Sequence, residues 1–276
     1  MSNYKEIEKK WQKRWEDEKV FVADNNSDKE KYYYLFMPTI ELKHLCVTYL
    51  GKKNEQYPAL KDISCVFENK KVSCIMGESG GGKTTLLRAL SSQLSYDGLI
   101  LSDGKDIEKM SMKERKIGYV QQEFALYPHM TIFDNLAFPL KLERDDFKTI
   151  TDKVNEMAKT LNISYLLTRK PRQLSTGQIQ KVCLGRALIK KPELILLDEP
   201  LSNVDGPQKE DVLRTIKNAL EAYGVTAIYI THNLKEAIYI SSKIYLIENG
   251  TLEWVKPSSE LGEVDIAYIF DKEESE

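Results

Sequence analysis

The segment GESGGGKT at residues 77–84 constrains this chain more than any other eight residues. It fits the pattern G-x-x-x-x-G-K-[ST]. It follows the apolar run KVSCIM (71–76), which reads as a strand, and leads into TTLLRALSSQL (84–94), which reads as a helix. A strand, a glycine-rich loop and a helix in that order belong to an α/β domain with a largely parallel sheet. Gly77 and Gly82 permit backbone angles that a side chain forbids, so successive N–H groups from Glu78, Ser79, Gly80 and Gly81 can turn inward. The helix that follows, with Thr85 in its first turn, adds its positive N-terminal end. Lys83 can reach β- and γ-phosphates and the Thr84 hydroxyl can ligate Mg²⁺. These residues describe a site for nucleotide phosphates.

After Pro38 the rest of the chain agrees with that architecture. GLILSDGKDI (98–107) reads as a strand pair around Ser-Asp-Gly, LILLDEP (194–200) as a buried strand ending in carboxylates, and VTAIYI (225–230) as another strand. Residues 208–223 read as a helix with Val212, Leu213, Ile216 and Leu220 on one face. KIYLIENGTLEWV (243–255) reads as a hairpin turning at Asn249-Gly250. Ligands of open α/β sheets sit at the carboxyl ends of the strands, which is where Asp198 and Glu199 fall. Asp198 suits the Mg²⁺ shell. Glu199 is placed to orient or deprotonate an attacking water.

Charge and cysteine usage exclude other classes. Lys and Arg number 40 against 42 Asp and Glu, a net charge of −2, so the basic excess of a non-specific nucleic-acid binder is missing and no nucleic-acid partner is expected. No run of about 18 apolar residues predicts a membrane-crossing helix. The N-terminus is charged from Lys5 to Lys19, unlike a secretory signal. Cys46, Cys65, Cys74 and Cys183 lack paired metal spacing and read as reduced thiols of a cytoplasmic protein.

Four further segments narrow the reading. They are YVQQ (119–122), LSTGQ (174–178), LSNVD (201–205) and ITH (230–232). Alone, LSTGQ reads equally well as a helix N-cap at Ser175, and a single histidine after a strand is ordinarily structural. In this order and spacing they resemble the Q-loop, signature, D-loop and switch histidine of ABC (ATP-binding cassette) nucleotide-binding domains, over residues 40 to about 256. The resemblance implies a P-loop fold with a RecA-like core, an antiparallel β subdomain and a helical subdomain at about 124–180. It implies two cassettes, identical or different, that sandwich two ATP molecules head to tail and hydrolyse them. Ser175, Gly177 and Gln178 would then face the γ-phosphate held by the partner cassette, with Thr176 in place of the usual first glycine. His232 would contact the γ-phosphate, Gln122 would touch Mg²⁺ and the water, and Asp205 would lie at the dimer seam. Tyr49 is the candidate to stack on adenine, with Tyr57 behind it.

The segment FALYPHMTIFDNLAFPL (124–140) is similar to the Q-loop region of importer ATPases for sugars and related solutes. That resemblance implies a membrane transporter motor on the cytoplasmic face, with a polytopic permease docking on exposed apolar residues here. A soluble ABC ATPase acting on ribosomes, tRNA or DNA is the other reading. One cassette per chain and no long coiled coil between Lys83 and Ser175 favour the transporter. After the hairpin the chain carries a short acidic tail (257–276) and not the regulatory domain of maltose-type importers. Residues 3–19 read as an amphipathic helix with Tyr4, Ile7, Trp11 and Trp15 on one face, followed by a polar linker at 23–31. NYKEIEKKWQKRWEDEKVF with KYYYLFMP, within residues 3–38, resembles the first segment of bacterial leucyl-tRNA synthetases, without their catalytic domain.

Overall fold

A computed structural model of the chain describes residues 39–51 and 55–262. The expected N-terminal helix and linker, the synthetase-like segment and residues 263–276 of the acidic tail lie outside the described residues. Two sheets organise what is described. Strands β1 (Ile40–Leu50), β2 (Gln56–Phe67), β4 (Asp97–Ser102) and β5 (Lys105–Asp106) form an antiparallel sheet in the order β2-β1-β4-β5. The second sheet runs β10-β9-β3-β8-β7-β6, from strands β3 (Val72–Met76), β6 (Ile117–Val120), β7 (Leu194–Asp198), β8 (Thr226–Ile230), β9 (Lys243–Glu248) and β10 (Thr251–Pro257). Its strands are parallel except β10, which pairs antiparallel with β9.

The parallel sheet reads as continuous apolar sequence because both of its faces are covered. In β7, Leu194 and Leu196 face a core shared with the antiparallel sheet and with helix α1 (Lys83–Leu90). Ile195 and Leu197 face the opposite core, shared with the helices. The same alternation sends Ile228 and Ile230 of β8 to the first core and Ala227 and Tyr229 to the second. Every residue of β7 and β8 is buried.

A short α2 (Met112–Arg115) precedes β6. The helical layer comprises α3 (Ile132–Leu142), α4 (Phe147–Thr160) and α5 (Thr176–Leu188), whose Leu136, Val154, Met157 and Leu184 join one core. Each of the three starts on a side-chain cap: Thr131, Asp146 and Ser175 accept from the amides of Asp134, Thr149 and Gln178, each worth about 1 kcal/mol. Helices α6 (Gly206–Tyr223) and α7 (Leu234–Ile240) complete the fold. No helix among the described residues is long and apolar enough to cross a membrane.

One predicted boundary moves. The helix expected over 84–94 ends at Leu90, with the chain turning through Ser92 at φ +55°. The Ser91 hydroxyl bonds back to the Arg88 carbonyl (3.1 Å), the competition with helical pairing that serine brings. The Asn249-Gly250 turn forms as expected, with φ of +48° and +79°, both positive as a type I′ turn requires. This turn also braces distant backbone. The Gly250 amide donates to the Gly81 carbonyl (3.1 Å) and its carbonyl accepts from Lys61 (2.7 Å).

A Cβ at position 250 would lie 2.6 Å from the Ala59 carbonyl oxygen. Gly250→Ala therefore combines left-handed strain with a backbone clash and should lower unfolding free energy by about 2 kcal/mol or more. Urea denaturation checks this, and an unchanged midpoint would remove the turn from the structural argument.

Candidate active site

The glycine-rich loop leaves β3 and winds against the β9–β10 hairpin. Gly77 has φ +139°, and a Cβ there would sit 1.9 Å from the Ile247 carbonyl oxygen, so no other residue fits. Gly82 ends the loop as the N-cap of α1 at φ +104°. Lys83 is 6% exposed. Its ammonium donates to the carbonyls of Gly77 and Glu78, both at 2.6 Å, so it is held across the mouth of its own loop. The first turn of α1 carries no acidic residue. A glycine-shaped turn, in which the Gly81 amide donates to the Glu78 carbonyl (3.1 Å), a helix start and a lysine together suit an anion cradle.

Asp198, at the end of β7, is 5% exposed. Thr84 Oγ1 donates to its Oδ1 (3.2 Å) and the Tyr119 hydroxyl to its Oδ2 (3.1 Å). Burial raises the pKa of Asp198, while these two hydroxyls and Arg88 act in the lowering direction. Burial, with the neighbouring Asp198, holds the Tyr119 phenol far above its ordinary value, so it remains a donor. Thr84 and Asp198 offer adjacent hard oxygens, the ligand chemistry that Mg²⁺ takes. Among the described residues no group of three or more His, Cys, Asp or Glu could hold a metal. So sparse a protein donor set fits an ion that is bound jointly with phosphates.

Glu199 follows with φ +44°, a left-handed conformation that is uncommon outside glycine and asparagine. The conformation is held on both sides. Its amide donates to the Ile230 carbonyl (3.2 Å), and its carbonyl accepts from the Ser202 amide (3.1 Å) and hydroxyl (2.9 Å). Glu199 Oε2 stands 3.5 Å from Gln122 Nε2 and 3.9 Å from His232 Nδ1. The carboxylate is more sheltered than the imidazole, with side-chain exposures of 24% and 63%. Asn203 fixes the Gln122 backbone by donating to its carbonyl (2.9 Å). Gln122, expected at the metal, thus meets Glu199 here.

Tyr49 lies on β1 opposite Tyr57. Its hydroxyl shares a 3.2 Å hydrogen bond with Thr85 Oγ1, which places it beside the phosphate loop, whereas the Tyr57 hydroxyl turns to Glu55 (2.6 Å). The signature residues gather on different elements, where α5 meets α6. Ser175 caps α5 in a reciprocal box with Gln178 and donates to Gln208 Oε1 (2.7 Å). A Cβ at Gly177 would stand 2.7 Å from Gln208 Oε1, so a side chain there would displace the Gln208 amide that Ser175 meets. Thr176 Oγ1 donates to Asp205 Oδ2 (3.2 Å), tying the signature to the D-loop. Tyr119, Asn203 and the Thr176–Asp205 contact escaped the sequence reading, and all three are side-chain contacts between segments far apart in the chain.

With this geometry in hand, comparison with known proteins is specific. The ABC transporter family profile matches residues 60–202. The molybdate/tungstate import ATP-binding protein WtpC of Pyrococcus horikoshii is 40% identical over 79% of this chain and 61% of its own length. The trehalose/maltose import ATP-binding protein MalK of Thermococcus litoralis is 38% identical over 74% of this chain and 56% of its own. The spermidine/putrescine import ATP-binding protein PotA of Hahella chejuensis is 36% identical over 78% and 59%. The chain thus spans roughly three fifths of the length of these curated relatives. Among solved structures, the dimeric ATP-binding cassette MJ0796 in a post-hydrolysis state with ADP and Pi superposes with a TM-score of 0.70 at 28% identity, covering 79% of this chain and 98% of that one. The phosphate loop, the buried carboxylate strand and the α/β scaffold that presents them are those of a cassette, and the chain belongs to the ABC transporter family.

Proposed function

We propose that this chain is the ATP-hydrolysing subunit of an ABC transporter, coupling closure of a cassette dimer to solute movement through a membrane permease. The observation that carries the reading is the convergence of Gln122 and His232 on Glu199, next to an Asp198–Thr84 pair at the phosphate loop. The loop amides and Lys83 bind and orient phosphates, and Tyr49 supplies the aromatic face for adenine. Thr84 and Asp198 would hold Mg²⁺, which would supply neutralisation of phosphate charge. Glu199 accepts the proton of the attacking water, while Gln122 and His232 keep that carboxylate and the γ-phosphate in register. Ser175, Gly177 and Gln178 open α5 at its positive end, suited to the γ-phosphate of a second cassette, and Asp205 lies with them at that seam. The dimeric relative supports this assembly.

A groove of about 450 Å³ between the helical layer and β6 supports the permease partner. Tyr127, Phe138, Pro139 and Leu142 line it, while Ile132, Leu136, Ala137 and Leu140 of the same segment are core. The relatives' names place them in import of molybdate or tungstate, trehalose or maltose, and spermidine or putrescine. Import by a protein peripheral to the cytoplasmic face follows as the reading for this chain, with carbohydrate one candidate cargo. Residues 1–38, whose sequence resembles the start of leucyl-tRNA synthetases, are read as an appendage that ATP turnover does not require.

Lys83→Ala removes the loop's only lysine and should weaken ATP binding by about tenfold or more, the range of a lost charged hydrogen bond; titration with a fluorescent ATP analogue reads it. Glu199→Gln should keep ATP, slow turnover by about 100-fold or more, and accumulate as an ATP-bound dimer on size exclusion with light scattering. Unchanged turnover removes Glu199 as the base. Mass spectrometry of what this variant retains from detergent-solubilised host membranes tests the transporter: a stoichiometric polytopic protein supports it, and ribosomes, tRNA or DNA from the soluble fraction overturn it. Deleting residues 1–38 should leave ATP turnover at the full-length rate; abolished turnover would refute the appendage reading.

A further inference from the structure

We propose that Tyr119 is a positioning residue that sets the orientation of the metal-holding carboxylate Asp198. The inference rests on the ATPase reading above and gives a role to the first residue of the YVQQ segment, whose Q-loop reading rests on Gln122. Tyr119 sits on β6, the edge strand of the parallel sheet, paired with Leu196 of the neighbouring β7. From there its half-buried phenol reaches the end of β7 and donates to Asp198 Oδ2 (3.1 Å), while Thr84 Oγ1 occupies Oδ1 (3.2 Å). The carboxylate therefore has one donor on each oxygen and its plane is fixed.

The two donors differ in what happens when an ion binds. Thr84 belongs to the phosphate loop and is itself a candidate ligand, so the place of its hydroxyl is set by the ion as well as by Asp198. Tyr119 belongs to the sheet and competes with nothing. The phenol is therefore the donor on Asp198 whose position does not depend on the ion. A buried carboxylate left with no fixed donor rotates about its last torsion, and the ordering cost then falls on metal binding. Partners that orient a ligating group in this way cost metal affinity on the order of 10- to 100-fold when removed. The ring is not replaceable by the neighbours of Asp198 in the strand, because Leu197 points into the helical core.

The test separates metal binding from nucleotide binding. Affinity for a fluorescent, non-hydrolysable ATP analogue is measured in EDTA and again in Mg²⁺, for the parent chain, Tyr119→Phe and Asp198→Asn, with the thermal midpoint of each. The parent should gain affinity on adding Mg²⁺ and Asp198→Asn should lose that gain. Tyr119→Phe should bind the analogue in EDTA as the parent does, with an unchanged midpoint, and show an Mg²⁺ gain smaller by about tenfold. A full Mg²⁺ gain in Tyr119→Phe overturns the proposal. So does a loss of affinity in EDTA and Mg²⁺ alike with a lowered midpoint, which marks a merely structural ring. A parent chain that binds no nucleotide in either condition refutes the ATPase reading itself, a result distinct from both.

Discussion

Strand β7 is apolar at every position until Asp198, and β8 beside it is buried throughout. That continuous run is what places a carboxylate at a buried strand end, where it cannot stay charged without hydroxyl donors close by. Thr84 comes to one oxygen on the first turn of α1 and Tyr119 to the other from β6. The loop, the sheet and its edge are thereby locked to one another through a single side chain. Parallel pairing makes this possible, because β3, β7 and β8 all deliver their carboxyl ends to the same edge.

The next residue shows the cost of this arrangement. Glu199 leaves the strand in a left-handed conformation, which for a branched-chain-free side chain costs on the order of 1–2 kcal/mol. Hydrogen bonds from Ser202 and to Ile230 hold it there. The bend brings its carboxylate between Gln122, which follows β6, and His232, which follows β8. Three loops from three adjacent strands thus meet at one oxygen. Strain at this position is offset by the buried sheet behind it, which fixes where the strands end.

What could be read from the chain alone was the local part. The phosphate loop, the β7 carboxylates and the Asn249-Gly250 turn are short segments whose chemistry depends on adjacent residues, and the parallel sheet followed from apolar runs too short for helices. The resemblance to cassettes supplied the Q-loop, signature and switch histidine. The end of α1 was misjudged because Leu94 extends the apolar pattern, while Ser91 and Ser92 stop the helix through backbone bonds that periodicity does not register. Tyr119 entered only as the first residue of YVQQ, and nothing local shows that its hydroxyl meets a side chain 79 positions away. Thr176 read as an oddity of the signature. Its bond to Asp205, 29 positions on, depends on how α5 packs against α6, which is tertiary information.

The hairpin turn at Asn249-Gly250 holds the phosphate loop from behind, through the Gly250 amide on Gly81 and the Ile247 carbonyl that lies against Gly77. The loop is encoded by residue 84, yet the backbone that shapes it comes about 165 residues later in the chain. During synthesis at about 5–20 residues per second, the glycine-rich segment waits many seconds before its supporting turn emerges. Until the β9–β10 hairpin has formed, the loop lacks the Ile247 and Gly250 contacts that shape it. The shape of the phosphate loop is in this sense a report on how far folding has gone, set by a turn well downstream in the chain.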